Sequence, residues 1–398
     1  LTVWDDVVGQ ESLVRQLTES AAAAAAVIRG EAVTGMTHAY LFTGPPGSGR
    51  STAARAFAAA LQCPEAGCGH CEACHTVLAG THADVEFVVT ELLSIGVKDT
   101  RDLVRRAALS PAGRRWQVIV MEDADRLTEG AGNVLLKSIE EPAERTVWML
   151  CAPSIEDVLP TIRSRCRHLL LRTPPASAVA EVLVRRDGVD PAMAAFAARA
   201  AQGHIGRARR LARDEQSRLR RAEVLNLPGS LTSVGGCLNA AQRLVDAAGA
   251  EAREATEEIN AKETEQLKVA LGAGATGRGM PAGSAGALKE LEGRQKKRAT
   301  RMQRDALDRA LVDLASFYRD VLVTQLGAGV ELTNDELRGE VTALAADSPA
   351  EHTLRRIDAV LACREAIAAN VAPLLAVEAM ALTLRQPVLG SRSSRTGA

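Results

Sequence analysis

One stretch restricts the fold more than any other: Leu41-Phe42-Thr43-Gly44-Pro45-Pro46-Gly47-Ser48-Gly49-Arg50-Ser51. Gly44 and Gly49 stand at the spacing of a phosphate-binding P-loop, and Ser51 and Thr52 follow where a hydroxyl is wanted. The residue between them should be lysine and is Arg50. Ala39 to Thr43 reads as a buried strand, and the Ala-rich run Thr52 to Leu61 reads as a helix. A strand that enters a Gly-rich turn and leaves through a helix N-terminus gathers backbone N–H groups and the positive helix end at one point, which suits phosphate. The alternative is a Gly-rich turn that binds nothing. Lysine offers a compact point charge that slips between phosphates, whereas a guanidinium is wide and planar, so Arg50 weakens the expectation of ATP turnover.

A second element of the same machinery follows. Val118-Ile119-Val120-Met121 is an apolar strand ending in Glu122-Asp123-Ala124-Asp125, the form of a Walker B element in which acids hold Mg²⁺ and orient the attacking water. The usual order is Asp then Glu, and here it is Glu122 then Asp123. Each exchange moves a carboxylate by about an ångström, a displacement that can cost on the order of a hundredfold in rate. Further strands are expected at Val85–Val89, Thr146–Leu150 and His168–Leu171, with helices at Asp99–Leu109 and Asn133–Pro142. Strands alternating with helices predict a parallel, doubly wound α/β sheet. Arg101, Arg105 and Arg106, like Arg163, Arg165 and Arg167, read on composition alone as solvated surface charge.

Between the P-loop helix and the second strand lie Cys63, Cys68, Cys71 and Cys74, half of the eight cysteines in the chain. Four soft ligands at this spacing favour a structural zinc knuckle, with no open position for a catalytic water. His70 or His75 could replace one thiolate. A disulfide cluster is disfavoured in a reducing compartment, and redox chemistry needs only one Cys pair.

With 398 residues and 46% apolar composition the chain can build several cores. Its formal net charge of −1 gives no general attraction to nucleic acid, and three Trp, two Tyr and five Phe leave little for base stacking. No apolar run reaches the ~20 residues of a membrane span. Asp5, Asp6 and Glu11 are foreign to a signal peptide, so a cytoplasmic location is expected. Pro174-Pro175 and Pro228-Gly229 divide the chain into an α/β domain at 1–173, a small basic helical domain at 174–226, and a helical domain at 227–389. Gly, Ala, Pro and Ser dominate 272–287, which reads as a flexible insert, and 390–398 as a disordered tail. Arg294 to Arg304 is rich in basic residues and reads as a charged helix face or a subunit contact before it reads as a DNA site.

Taken together, Val8-Gly9-Gln10, His38 to Phe42, the P-loop, the four-cysteine knuckle, Asn133 to Pro142 and Ser164-Arg165-Cys166 resemble the clamp-loader branch of the AAA+ ATPases. Within it, the chain is similar to the delta-prime family of bacterial DNA polymerase III. That resemblance implies an AAA+ domain, a helical lid and a collar that packs five subunits into a ring. The implied partners are gamma/tau-type motor subunits and a delta subunit, with the sliding clamp and primer-template DNA reached through the complex. It implies that Arg165 is an arginine finger acting on a neighbour's ATP. The motor subunits keep the P-loop Lys, the Asp-Glu order, a sensor threonine and a lid arginine; here those positions read Arg50, Glu122-Asp123, Cys151 and Gly206. The resemblance thus implies a stationary, non-motor subunit whose own ATP and Mg²⁺ binding at Gly44, Gly47, Gly49, Arg50, Ser51, Thr52, Glu122 and Asp123 is weak. An autonomous AAA+ ATPase is the competing expectation, kept alive by the intact glycines and Ser51.

Overall fold

The computed structural model describes residues 2–385 apart from 33, 91, 114 and 272–283. It divides into two compact units, Leu1–Arg213 and Asp214–Ala398.

The first unit is built on a five-stranded parallel sheet of β1 (Ala39–Thr43), β2 (Val85–Val88), β3 (Gln117–Met121), β4 (Thr146–Ala152) and β5 (Arg167–Leu170), in the order β2-β3-β4-β1-β5. Central strands of a parallel sheet are covered on both faces, and β1, β3 and β4 are buried at every position. Their side chains alternate between two cores. Tyr40, Phe42, Val118, Val120, Val147 and Met149 meet helices α1 (Glu11–Ile28), α2 (Arg50–Gln62) and α3 (Glu72–Leu78). Leu41, Ile119, Met121, Trp148 and Leu150 meet α4 (Val97–Ala107), α5 (Glu129–Glu140) and α6 (Pro160–Arg163) on the other face. The small side chains of α2 let it lie close on the sheet, and Phe57 packs edge-on against Tyr40 with ring centroids 5.0 Å apart. This is the expected parallel, doubly wound α/β sheet. The expected helices begin two to four residues earlier than their apolar patterns suggested, because first turns are polar and leave no periodic mark.

Within the same unit α7 (Ala176–Arg185), α8 (Pro191–Ala200) and α9 (Ile205–Arg213) bury a separate cluster around Val179, Leu183, Ala197 and Leu211.

The second unit is all-helical: α10 (Glu215–Leu225), α11 (Leu227–Ser230), α12 (Val234–Ala270), α13 (Ser284–Gln325), α14 (Arg338–Asp347), α15 (Ala350–Ala368) and α16 (Pro373–Leu384). A buried polar cluster ties α10 to the body of this unit. Arg221 pairs with Asp313 and Glu336 and donates to Asn334 Oδ1, and Asn334 in turn donates to the fully buried Asp320. The flexible insert expected at 272–287 requires correction at its end: 284–287 already belong to α13, because Ser284 and the residues after it continue into a helical pattern that the Gly-rich composition masked. Residues 272–283 and the tail at 390–398 lie outside the described residues.

Candidate nucleotide site and metal centre

The sheet order places β4 between β1, which leads into the P-loop, and β3, which leads into the acids. The loop has the backbone its glycines predict. Gly47 and Gly49 sit at φ +86° and +92°, a region that L side chains rarely adopt, and Gly49 caps α2. Gln10, buried in the Val-Gly-Gln segment, fastens the loop from behind: its Nε2 donates to Arg172 O (2.5 Å) and Ser48 O (3.4 Å), while its Oε1 accepts from Arg172 N (3.2 Å).

The cradle is engaged by the chain itself. Arg50 Nη1 donates to Gly44 O at 2.8 Å, so the guanidinium folds over the first residue of its own loop. Burial pushes its pKa down, and the carboxylates of Asp125, Asp123 and Asp157 push the other way. Burial likewise raises the Asp125 pKa. Above the loop His204 presses on Gly47 so closely that a Cβ there would lie 2.4 Å from His204 Cβ.

The acids are also committed. Glu122 Oε1 accepts from both Arg55 Nε (3.1 Å) and Arg55 Nη2 (2.8 Å), and the same guanidinium lies 4.0 Å from the Phe87 ring centroid. Asp123 accepts from Thr90 N at 3.2 Å and lies 3.6 Å from Arg126. Cys151, at the end of β4, is fully buried, and burial raises its pKa above the usual thiol range. Because β3, β4 and β1 are parallel neighbours, the acids after β3, Cys151 near the end of β4 and the P-loop after β1 share one end of the sheet, with Ser51 and Thr52 in the first turn of α2. The structure holds Glu122 back toward α2. Sequence reasoning missed Arg55 and His204. The signal for Arg55 was a single cation inside an otherwise apolar helix face, which calls for an internal partner.

Arg165 follows α6 and is half-exposed. Its Nε pairs with Glu140 at 2.6 Å, and its Nη1 donates to Thr161 O (2.8 Å) and Ser164 Oγ (3.1 Å). Its Nη2 makes no hydrogen bond among the described residues.

The knuckle residues Cys63, Cys68, Cys71 and Cys74 bring their four sulfurs within 4.8 Å of one another. Cys63 and Cys71 Sγ are 3.7 Å apart, where a tetrahedral zinc with bonds of ~2.3 Å would set them at ~3.8 Å. Backbone N–H groups point at the sulfurs, from Glu65 (3.3 Å) and Cys68 (3.4 Å) to Cys63 and from Cys74 (3.4 Å) to Cys71. Burial pushes the Cys63 thiol up, but N–H donors from Cys68, Gly67 and Glu65 outweigh it and hold it at about 7. Burial, with neighbouring thiols, pushes Cys74 well above the ordinary value. Four packed sulfurs that cannot all ionise without a cation are the donor set that zinc takes. All four thiols are free of disulfides. Among the described residues neither His70 nor His75 joins the four sulfurs, and His70 instead comes within 4.8 Å of Glu65 and Cys68.

Comparison with known proteins matches residues 21–175 to the family described as DNA polymerase III, delta subunit. Over 185 residues the chain is 35% identical to DNA polymerase III subunit gamma/tau of Mycobacterium bovis, covering 45% of this chain and 30% of that protein. It is 39% identical over 163 residues to subunit delta' of Pseudomonas aeruginosa (39% and 50% covered) and 31% identical over 195 residues to delta' of Bacillus subtilis (48% and 59%). These matches make part of the chain similar to the delta' and gamma/tau subunits of DNA polymerase III. The chain spans between 30% and 59% of the length of those relatives, and the family match at residues 21–175 falls on the unit that carries the P-loop and the knuckle. Among its described residues no helix is long and apolar enough to cross a membrane.

Proposed function

We propose that this chain is the non-motor, delta-prime-type subunit of a DNA polymerase III clamp loader. In this reading it takes part in a five-subunit ring with gamma/tau-type motor subunits and a delta subunit. It supplies Arg165 to the ATP site of a neighbour and helps place the sliding clamp on primed DNA. The observation that carries the reading is where the cations point. Arg50 and Arg55 are turned inward, on Gly44 O and Glu122, so the chain's own site lacks both a free phosphate cradle and a free metal acid. Arg165 is held at the surface by Glu140, Thr161 and Ser164 with Nη2 left over. A guanidinium anchored along one edge is already oriented to stabilise charge developing on another chain's γ-phosphate.

In this reading 1–173 serves as the AAA+ domain, the helices from 174 to 213 as a lid, and the second unit as a collar, which takes in α10 although the Pro228-Gly229 signal places the boundary at 226. The four cysteines hold a structural zinc, which would tie the end of α2 to α3 without entering the chemistry.

The deciding test is clamp- and DNA-stimulated ATP hydrolysis by a reconstituted loader carrying Arg165→Ala in this chain. Loss of turnover at one site is expected, because a trans arginine contributes roughly a thousandfold or more there. Unchanged hydrolysis and loading would remove the finger role. The competing reading, an autonomous ATPase, draws on the preserved Gly44, Gly49 and Ser51. Substantial turnover by the isolated chain would favour it.

A further inference from the structure

Helices α12 and α13 are far longer than the core they serve. The main hydrophobic cluster of the second unit reaches α12 only as far as Ala248 and α13 only from Ala306 onward. Beyond those points the pair continues as an antiparallel arm to Ala270 and back from Ser284, roughly 30 Å at 1.5 Å per residue. Its register is fixed by polar contacts. Arg298, buried between the helices, donates to Asn260 Oδ1 (2.7 Å) and Glu263 Oε1 (2.7 Å), and Gln295 donates to Asn260 O (3.0 Å).

Some cations on α13 are matched: Arg298 with Glu263, Arg301 with Asp305, Arg309 with Glu251, while Arg294, exposed on the side of the arm, has no ion pair among the described residues. Lys289, Lys296 and Lys297 are exposed and have no ion pair among the described residues. With Gly293 and Thr300 they fall at i, i+4, i+7, i+8 and i+11, one face of a helix, opposite the buried Leu291 and Arg298. Gly293, in the middle, has open space where a Cβ would project. Glu290 and Glu292 flank this edge without occupying its centre. The exposed acids Glu254, Glu258 and Glu265 lie on the outer side of α12. Two helix diameters, roughly 20 Å, separate these edges. That exceeds the ~8 Å screening length at physiological salt, so the acidic edge does not cancel the basic one.

We propose that the outer edge of the α13 arm, Lys289, Lys296 and Lys297 about Gly293, is a binding surface for the phosphate backbone of duplex DNA. A row of unpaired ammonium groups on a rigid rod, with a bare glycine between them, fits a repeating polyanion and carries no device for reading bases. The choice of DNA over another polyanion rests on the clamp-loader reading, but the contact needs neither a neighbouring subunit nor nucleotide.

The test is fluorescence anisotropy of labelled primed duplex with the whole chain, from 50 to 200 mM salt. Lys289→Gln/Lys296→Gln/Lys297→Gln is compared with wild type and with Glu254→Gln/Glu258→Gln/Glu265→Gln. Three phosphate contacts contribute about 2.7 to the slope of log K against log salt, about fortyfold in affinity over that range. The lysine variant should lose that part of the slope with its helical circular dichroism intact, and the acidic-edge variant should change affinity less than threefold. An unchanged slope would overturn the proposal. So would equal and opposite shifts in the two variants, which would mean net charge alone, or poly-glutamate competing as well as DNA at equal charge. Because the readout omits ATP hydrolysis, a negative result leaves the Arg165 assignment standing, and loss of that assignment leaves this measurement interpretable.

Discussion

Replacing Arg50 by lysine should separate nucleotide binding from nucleotide turnover. In the folded chain a phosphate entering the loop must displace the Arg50 Nη1 hydrogen bond to Gly44 O, a charge-assisted contact of 2.8 Å. Such bonds contribute about 1.5–3 kcal/mol. Taking about 2 kcal/mol, an equivalent loss of self-engagement corresponds to roughly thirtyfold in affinity. Lysine keeps the positive charge but not the planar fork, so Arg50→Lys should tighten binding of a fluorescent ATP analogue by up to about that factor. Hydrolysis should not follow, since Glu122 stays on Arg55 and the order of the acids is still reversed. Titration of the isolated chain by fluorescence, beside a phosphate-release assay on the same samples, measures both. Wild type binding the analogue as tightly as Arg50→Lys would refute the idea that Arg50 obstructs the cradle. Steady turnover by Arg50→Lys alone would refute the claim that Glu122 is sequestered.

Other outcomes follow from the same geometry. Breaking the Arg55–Glu122 pair with Arg55→Met should destabilise the first unit by about 1–2 kcal/mol, the buried-pair cost discounted for partial exposure, and adding Glu122→Gln should recover part of it; thermal unfolding of the four proteins of the cycle measures the coupling. Gly47→Ala should cost more than Gly49→Ala: both backbones have positive φ, but only the Gly47 Cβ would meet His204, adding about 1–3 kcal/mol of overpacking. Equal losses in melting temperature would mean that His204 does not press on the loop. The purified chain should carry one zinc by metal analysis, Cys74→Ser should release it, and chelation should lower the melting temperature of the first unit; a metal-free chain that melts identically with and without chelator would contradict the knuckle.

Much of the first unit could be read from residue order because its signals are local. The fully apolar runs at Ala39 and Val118 mark buried parallel strands, and the spacing of Cys63 to Cys74 marks a shared ligand set. The departures at Arg50 and Glu122 were visible as departures, but not what the side chains do instead. Arg55 meets Glu122 across 67 positions of sequence, and Arg165 finds Glu140 at the end of another helix. Pairings of that kind depend on tertiary placement and leave no periodic trace. The Gly-rich composition before α13 hid a helix start, since glycine lowers helix propensity without forbidding the helix once a partner such as α12 lies alongside. The same composition gave no sense of how far the α12–α13 pair extends beyond its core.

The position of β1 bears on how the chain is made. Its two neighbours in the sheet are β4 and β5, and Ala39 pairs with Trp148 while Tyr40 pairs with Arg167. Roughly a hundred residues must therefore leave the ribosome before β1 gains either flank, an interval of about 5–20 s at 5–20 residues per second. Through that time an apolar strand with both edges open is held only by what lies near it in sequence, chiefly α2 and the cysteine turn that follows. Metal capture by that turn would give the emerging chain an early, compact anchor well before the sheet can close.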